Sequence, residues 1–148
     1  MVHALKEIRR LLKPDGFLID IHPIRKAPLI KVVQGADVLF VEADPGYDYD
    51  ESLMHADDAL GQVVHRGSYV IEGKDEFEVV TYSSSVSELR DYWTQYGAFE
   101  DELKDDASSA RQSEMYSKAD EVMQNAPGAE ITYHERARIM RLSPSQNA

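Results

Sequence analysis

The chain has 148 residues, 43% of them apolar, a net charge of −11 and no cysteine. This size predicts a single domain with its own core over residues 1–148. The acidic balance argues against nucleic acid and anionic membranes as partners, since binding either requires clustered Lys and Arg. No stretch approaches the ~20 apolar residues of a membrane span. The lack of cysteine and of an apolar leader predicts a cytoplasmic protein.

The first elements are a helix and a strand joined by a tight turn. Apolar residues at spacings of three and four predict a surface helix from Ala4 to Lys13. Pro14-Asp15-Gly16 ends it, because proline cannot continue the hydrogen-bond ladder and Asp-Gly suits a turn. Phe17 to Ile21 is apolar on both faces, which is typical of a strand covered by helices on two sides. We therefore expect a layered fold.

The next segment predicts a hairpin and a second helix. Leu29 to Val33 and Val38 to Val41 are two strands separated by a short polar segment. The helix, capped by Asp48 or Asp50, is expected to end at Gly67. Its apolar stripe consists of Leu53, Ala56, Leu60, Val63 and Val64.

A second hairpin, or a helix-to-strand connection, is predicted around Gly73-Lys74-Asp75, with strands at Tyr69 to Ile71 and Phe77 to Tyr82. Ser85 and Glu88 then form a capping box for a helix that runs to Gly97.

The carboxyl-terminal part is predicted to hold a helix and a long strand. Glu100 to Asp106 is an acidic connection, and apolar positions from Ala110 to Met123 predict the helix that follows. Ile131 to Leu142 alternates as a long strand does, with an apolar face and a largely polar face. The apolar face holds Ile131, Tyr133, Ala137 and Ile139, and the other holds Thr132, His134, Arg136 and Arg138. Residues 143–148 are expected to form a disordered tail.

The segment from Ala4 to Ile21 closely resembles the part of Rossmann-like S-adenosylmethionine-dependent methyltransferases that precedes and forms their fifth strand. That family has a helix, then Leu-Lys-Pro-Gly-Gly, then an apolar strand; here Asp15 replaces the first glycine. Ile131 to Leu142 is similar to the family's long last strand, and Phe77 to Gly97 is a weaker match. The resemblance implies an α/β or α+β fold: a partial methyltransferase-like sheet with helices packed on it.

The family's amino-terminal half has no counterpart in these residues. Its glycine-rich loop and acidic ribose partner are both missing, because the eight glycines never form Gly-x-Gly. We expect no cofactor for this chain alone, although the complete family uses S-adenosylmethionine, and no catalysis without the missing half. Two explanations stay open: translation starts upstream of Met1, or a shortened gene has kept a binding role. The alternative function is a non-catalytic α+β module that binds a ligand or a protein.

Asp20 and His22 are the candidate substrate-pocket residues, because they lie at the carboxyl end of the predicted fifth strand, where open α/β sheets bind ligands. The competing interpretation is local: Asp20 caps or pairs nearby, and His22 is a turn residue before Pro23.

Other polar and aromatic groups favour structural roles. One predicted helix holds His55, Asp58 and His65, but ligands from a single helix at these spacings converge poorly on a metal, so no metal site is expected. The aromatic stripe of Trp93 and Tyr96 predicts core. An acidic cluster is expected to be solvated; its members are Asp101, Glu102, Asp105 and Asp106.

The predicted oligomer is a homodimer. In the complete family the fifth strand lies between the fourth strand and the last. Without the fourth strand, Phe17 to Ile21 would have one edge of unpaired backbone groups beside apolar side chains. A second copy is the simplest cover, by strand pairing or by exchange of the Pro28 to Glu42 hairpin, which resembles an insertion bordering the substrate pocket. The competing solution is that the chain's own hairpin folds back over the edge.

Overall fold

The computed structural model of the chain describes residues 1–45, 51–96 and 106–145. Within them it has four helices and a five-stranded antiparallel sheet, so the architecture is mixed α+β. The elements in chain order are α1 Val2–Leu11, β1 Leu18–Pro23, β2 Leu29–Gln34, β3 Asp37–Ala43, α2 Glu51–His65, β4 Tyr69–Ser83, α3 Val86–Tyr96, α4 Asp106–Gln124 and β5 Glu130–Pro144.

Strand β5 makes most of the pairings in the sheet. The strand order is β1-β5-β2-β3, and β4 also pairs with β5. Residues 137–142 of β5 pair with β1, whereas residues 130–134 pair with β2. The hairpin β2–β3 is confirmed, with a positive-φ glycine, Gly35, in its turn.

The chain divides into two compact units. Unit 1 consists of Met1–Arg25, Tyr49–Glu78 and Arg136–Ala148. Unit 2 consists of Lys26–Asp48 and Val79–Glu135. Each unit has its own hydrophobic core.

The core of unit 1 lies between its two helices and its strands. The apolar stripes of α1 and α2 provide most of it, as their sequence periodicity predicts. The Tyr69 hydroxyl donates a hydrogen bond to the Leu5 carbonyl oxygen at 2.8 Å, and burial raises the pKa of this phenol. The buried members are Leu5, Ala59, Leu60, Val63, Tyr69, Met140 and Leu142.

The core of unit 2 is built from α3 and α4 packed with strands of the same unit. Trp93 packs against it, with its ring 4.6 Å from that of Tyr133, as the aromatic stripe predicts. The buried members are Ile30, Val32, Val86, Leu89, Met115, Tyr116, Ala119, Ala126, Ala129, Ile131 and Tyr133.

The start of α3 confirms one half of the predicted capping box. The Glu88 amide donates to the Ser85 hydroxyl oxygen at 3.1 Å. The Glu88 carboxylate accepts from the amide and hydroxyl of Ser84, at 2.6 and 2.7 Å, rather than from the Ser85 amide. The helix therefore begins where the sequence predicts, with the acid reaching one residue further back.

Two local expectations were wrong. The hairpin around Gly73-Lys74-Asp75 does not form: β4 continues through it, and Gly73 lacks the positive φ that a tight hairpin turn requires. Strand β1 is not covered on both faces either, since Ile19 and Ile21 are 43% and 59% exposed. An antiparallel sheet can leave one face to solvent, even where the strand's sequence is apolar throughout. The cap at Asp48 or Asp50 and the acidic connection up to residue 105 lie outside the described residues.

Candidate functional site

The candidate site lies at the carboxyl end of β1, in unit 1. Side chains alternate along a strand, so Asp20 and His22 project from one face and Ile19 and Ile21 from the other. His22 is only 8% exposed. Both residues predicted as pocket candidates thus lie on the same, more buried face.

His22 contacts a carboxylate through each of its ring nitrogens. Its Nδ1 lies 2.5 Å from Oδ2 of Asp20, and its Nε2 lies 3.1 Å from Oδ1 of Asp57 in α2. The local contact with Asp20 agrees with the interpretation that Asp20 pairs nearby. The contact with Asp57 extends the cluster from the strand to the helix.

Arg138 of β5 joins the same cluster. The strand pairing sets it directly opposite His22, and its Nη1 donates to Oδ1 of Asp57 at 2.9 Å. Its Nη2 lies 3.5 Å from Glu76 of β4, which also pairs with Arg136 at 3.6 Å. We call these six residues the His22 network: Asp20, His22, Asp57, Glu76, Arg136 and Arg138.

Hydrogen-bond geometry indicates how the His22 network holds its protons. An ionised carboxylate only accepts, so with both carboxylates ionised, both ring contacts of His22 require a proton on each nitrogen. The three cationic side chains then balance the three carboxylates. Such pairing is what permits charged groups to be partly buried. The Nε atoms of Arg136 and Arg138 are buried without a hydrogen-bond partner.

This arrangement orients the imidazole ring of His22 through contacts at both of its nitrogens. Nδ1 of His22 is oriented by Asp20, as in sites where a carboxylate positions an imidazole. Nε2 faces Asp57, so an acceptor group could reach Nε2 only by displacing that carboxylate. The network is therefore a closed charge cluster in this structure, with Nε2 as the position from which acid–base chemistry could act.

Sequence reasoning found two members of the network as candidates and missed the others. Asp57 lies three residues before Leu60 and seven before Val64, on the apolar stripe of α2, and an acid on such a stripe is a usable signal. The nearby candidates His55, Asp58 and His65 are exposed on other parts of the helix. No signal in the sequence sets Arg138 opposite His22, because that depends on the register of distant strands.

Unit 2 has a second polar cluster, whose chemistry is different. Burial raises the pKa of Tyr116 above its usual range, and the charge of Asp44 adds to this effect while that of Arg90 opposes it. The phenol therefore stays protonated. Asp44 is 6% exposed and accepts a hydrogen bond from Gln112 at 2.9 Å. These contacts join β3 and its following turn to α4 and indicate a structural role.

The described residues do not fit S-adenosylmethionine. No described strand leads into a helix through a glycine-rich loop: β4, for example, reaches α3 through Ser84 and Ser85. Gly35 lies in a hairpin turn, and Gly67 and Gly128 follow helices α2 and α4. We derive no chemical step through this cofactor.

No family model, no curated protein and no solved structure matches this chain. Among the described residues, no helix is both long enough and apolar enough to cross a membrane.

Proposed function

We propose that unit 1 is the acceptor-side half of a methyltransferase-like domain, which needs a cofactor-binding half to be catalytic. The observation that carries this proposal is the order and pairing of its elements. The strand after the Leu-Lys-Pro-Asp-Gly turn, β1, pairs antiparallel with the last strand, β5, and β5 also pairs with β4. Helix α2 lies between β1 and β4 in the chain. The resemblance described above implies a fifth strand flanked by the last strand, with this helix and strand between them.

The His22 network supports the same proposal by its place. It lies at the carboxyl end of β1, the edge at which open α/β sheets bind ligands. In the complete domain, Asp20 and His22 would form part of the wall facing the methyl acceptor. The protein's proposed compartment is the cytoplasm, since the chain has no cysteine and so no disulfide that a reducing compartment would break.

The test compares this chain with the protein that any longer reading frame encodes. The DNA upstream of Met1, read in frame, should encode an Asp/Glu-x-Gly-x-Gly pattern after an apolar strand. By calorimetric titration, the extended protein should bind S-adenosylmethionine and its demethylated product, whereas the 148-residue chain should bind neither. Micromolar binding by the 148-residue chain, or an extended protein that binds neither compound, would contradict the proposal.

A second candidate function is assembly, and the exposed edge of β1 favours it. Strand β1 stands at one end of the strand order, and β5 is its only partner among the described residues. Ile19 and Ile21 are exposed, while Arg141 lies over the Phe17 ring at 4.2 Å from its centroid. We propose that the 148-residue chain covers this edge by pairing with β1 of a second copy.

The sequence of β1 suits pairing with itself. If the two-fold axis passes through Ile19, antiparallel pairing sets Phe17 opposite Ile21 of the partner subunit and Leu18 opposite Asp20 of the partner subunit. The first pair is apolar, and neither places like charges opposite each other. In a complete methyltransferase-like domain the fourth strand would take this edge, so the dimer belongs to the shorter chain.

Light scattering at several concentrations tests the assembly. We expect a dimeric mass that Ile19→Lys converts to a monomer, because the lysine would be placed on the axis facing its own copy. Val38→Lys, at an exposed apolar position of β3, is the matched control and should leave the dimer intact; Val38 is 57% exposed, against 43% for Ile19. A monomeric parent chain, or equal disruption by both variants, would exclude pairing through β1.

A further inference from the structure

A cavity of about 390 Å³ lies beside α1 and the turn that follows it, in unit 1. Four of its lining side chains are basic, and the other three are apolar: Lys6, Arg9, Arg10, Lys13, Leu12, Pro14 and Pro144. Among the described residues, no acidic side chain lines it, although the chain has 27 acidic residues and 16 Lys and Arg. The cavity lies before the start of β1, whereas His22 lies near the end of that strand, so it is a different site.

Three of the four cations form one face of a helix. Lys6 precedes Arg9 and Arg10 by three and four residues, which places these side chains side by side on α1. Lys13 follows the end of the helix, where Leu12 already has an extended backbone. Like charges at these spacings destabilise a helix. The helix dipole offsets this for Arg9 and Arg10, which lie in the last turn. It does not account for Lys6, which lies further from the carboxyl end.

The basic side chains differ in how firmly they are held. Arg9 is half-buried and donates through Nη2 to the Ser145 carbonyl oxygen at 3.1 Å. Arg10 pairs with Glu7 at 2.9 Å, but both side chains are about two-thirds exposed, at 67% and 64%. Lys6 and Lys13 make no ion pair with any residue in the described part of the chain. One cation is therefore fixed at the cavity, and two exposed lysines are available to an incoming anion.

We propose that this cavity, the α1 cavity, binds a phosphate-bearing small molecule. Phosphate oxygens accept hydrogen bonds from both kinds of side chain: arginine donates through a planar guanidinium, and lysine through a compact ammonium group. A basic concavity on a strongly acidic protein also concentrates anions locally. Leu12, Pro14 and Pro144 give the non-phosphate part of the ligand an apolar wall.

The size and setting of the α1 cavity favour a small molecule over a nucleic acid. Its volume lies within the range of small-molecule sites. A nucleic acid would need basic side chains continued along a stripe, while the net charge of −11 repels the rest of its backbone. This proposal is independent of the proposed methyltransferase relationship, because it uses neither the sheet order nor the His22 network.

Calorimetric titration with inorganic pyrophosphate at about 0.1 M ionic strength tests the site. We expect one pyrophosphate per chain, and binding weakened roughly tenfold in the double variant Lys6→Gln/Lys13→Gln, which loses two charge-assisted contacts. The matched control is Lys74→Gln/Lys118→Gln, which makes the same change in net charge at exposed lysines outside the cavity. It should weaken binding by about twofold or less, since distant surface charges are screened.

Two further measurements locate and classify the ligand. Amide chemical-shift changes on adding pyrophosphate should be largest in α1 and residues 12–16. The melting temperature of Lys6→Gln/Lys13→Gln should not fall, because both side chains are exposed. Absence of binding at millimolar pyrophosphate, equal weakening in both double variants, or shift changes elsewhere would overturn the site. Tighter binding of an acidic peptide of equal charge would overturn the assignment to phosphate.

Discussion

Unit 1 and unit 2 each combine helices with strands of an antiparallel sheet, yet they bury polar groups in different ways. In unit 1, His22 contacts the carboxylates of Asp20 and Asp57. The network continues from Asp57 through two arginines and a third acid, which are Arg138, Arg136 and Glu76. In unit 2, the buried polar groups are mainly hydroxyls, and the buried Asp44 accepts from a neutral amide. Charged groups are the more costly to bury, and their clusters concentrate at functional sites. The contrast therefore identifies unit 1 as the unit with candidate chemistry.

The largest loss of unfolding free energy is expected from a substitution in the apolar core of unit 2. Leu89 is fully buried, so Leu89→Ala should lower the free energy of unfolding by about 3 kcal/mol through lost burial and a residual cavity. Urea unfolding measures the loss, and hydrogen exchange shows which amides become less protected. The matched variant in unit 1 is Leu60→Ala, at 3% exposure. A loss below about 1 kcal/mol for Leu89→Ala would mean that the site repacks.

The second prediction sharpens the contrast between charged and neutral burial. His22→Asn should cost about 2 kcal/mol in urea unfolding, because one amide cannot replace both ring nitrogens and a hydrogen bond to either Asp20 or Asp57 is lost. The comparison variant in unit 2 is Thr132→Val. The buried Thr132 hydroxyl donates to the Lys31 carbonyl oxygen at 3.3 Å and lies 2.9 Å from Nε2 of His134, so this change removes a hydroxyl and no charged donor. Equal losses in the two variants would remove the energetic distinction between the clusters.

The smallest effect concerns the cap of α3 and its pH dependence. Hydrogen bonds from the Ser84 hydroxyl and then the Ser84 amide lower the pKa of Glu88 below its ordinary 4.5. A lowered pKa means that the carboxylate stabilises the fold above pH 4.5, and that this stabilisation is lost as the pH falls through the folded-state pKa.

Glu88→Gln should therefore melt at a lower temperature than the parent chain at pH 7, and the difference should shrink as the pH falls below 4.5. Thermal melts over this range measure it. Ser85→Ala, which removes the other half of the cap at a cost of about 1 kcal/mol, should show a difference that does not follow this titration. If the melting-temperature difference between Glu88→Gln and the parent chain did not change with pH, the effect would be assigned to packing.

Local sequence patterns predict the helices and the simplest strands well. The spacing of apolar residues in α1 and α2, the glycine turn of β2–β3 and the cap of α3 are all set by neighbours a few residues apart. The predicted hairpin at Gly73 failed because turn-forming residues also occur inside long strands. Here, pairing with β5 overrides the local preference.

The candidate site could be predicted only in part, for a related reason. Asp20 and His22 were found because a strand's carboxyl end is a local feature. Arg138 was classed only with the polar face of the last strand, since its meeting with His22 depends on a register between strands far apart in sequence. Asp57 was overlooked beside the more conspicuous His55 and Asp58, although only Asp57 lies on the buried stripe.

The separation of β1 and β5 along the chain has a consequence for synthesis on the ribosome. Strand β1 is translated well before its partner in the sheet, since Leu18 pairs with Leu142. Until β5 is made, β1 and β2 both lack the strand that pairs with each of them. Long loops must then close before these pairings can stabilise the sheet. The nascent chain thus exposes apolar strands until β5 has been translated. Holding chaperones should raise its folded yield most when elongation is slow.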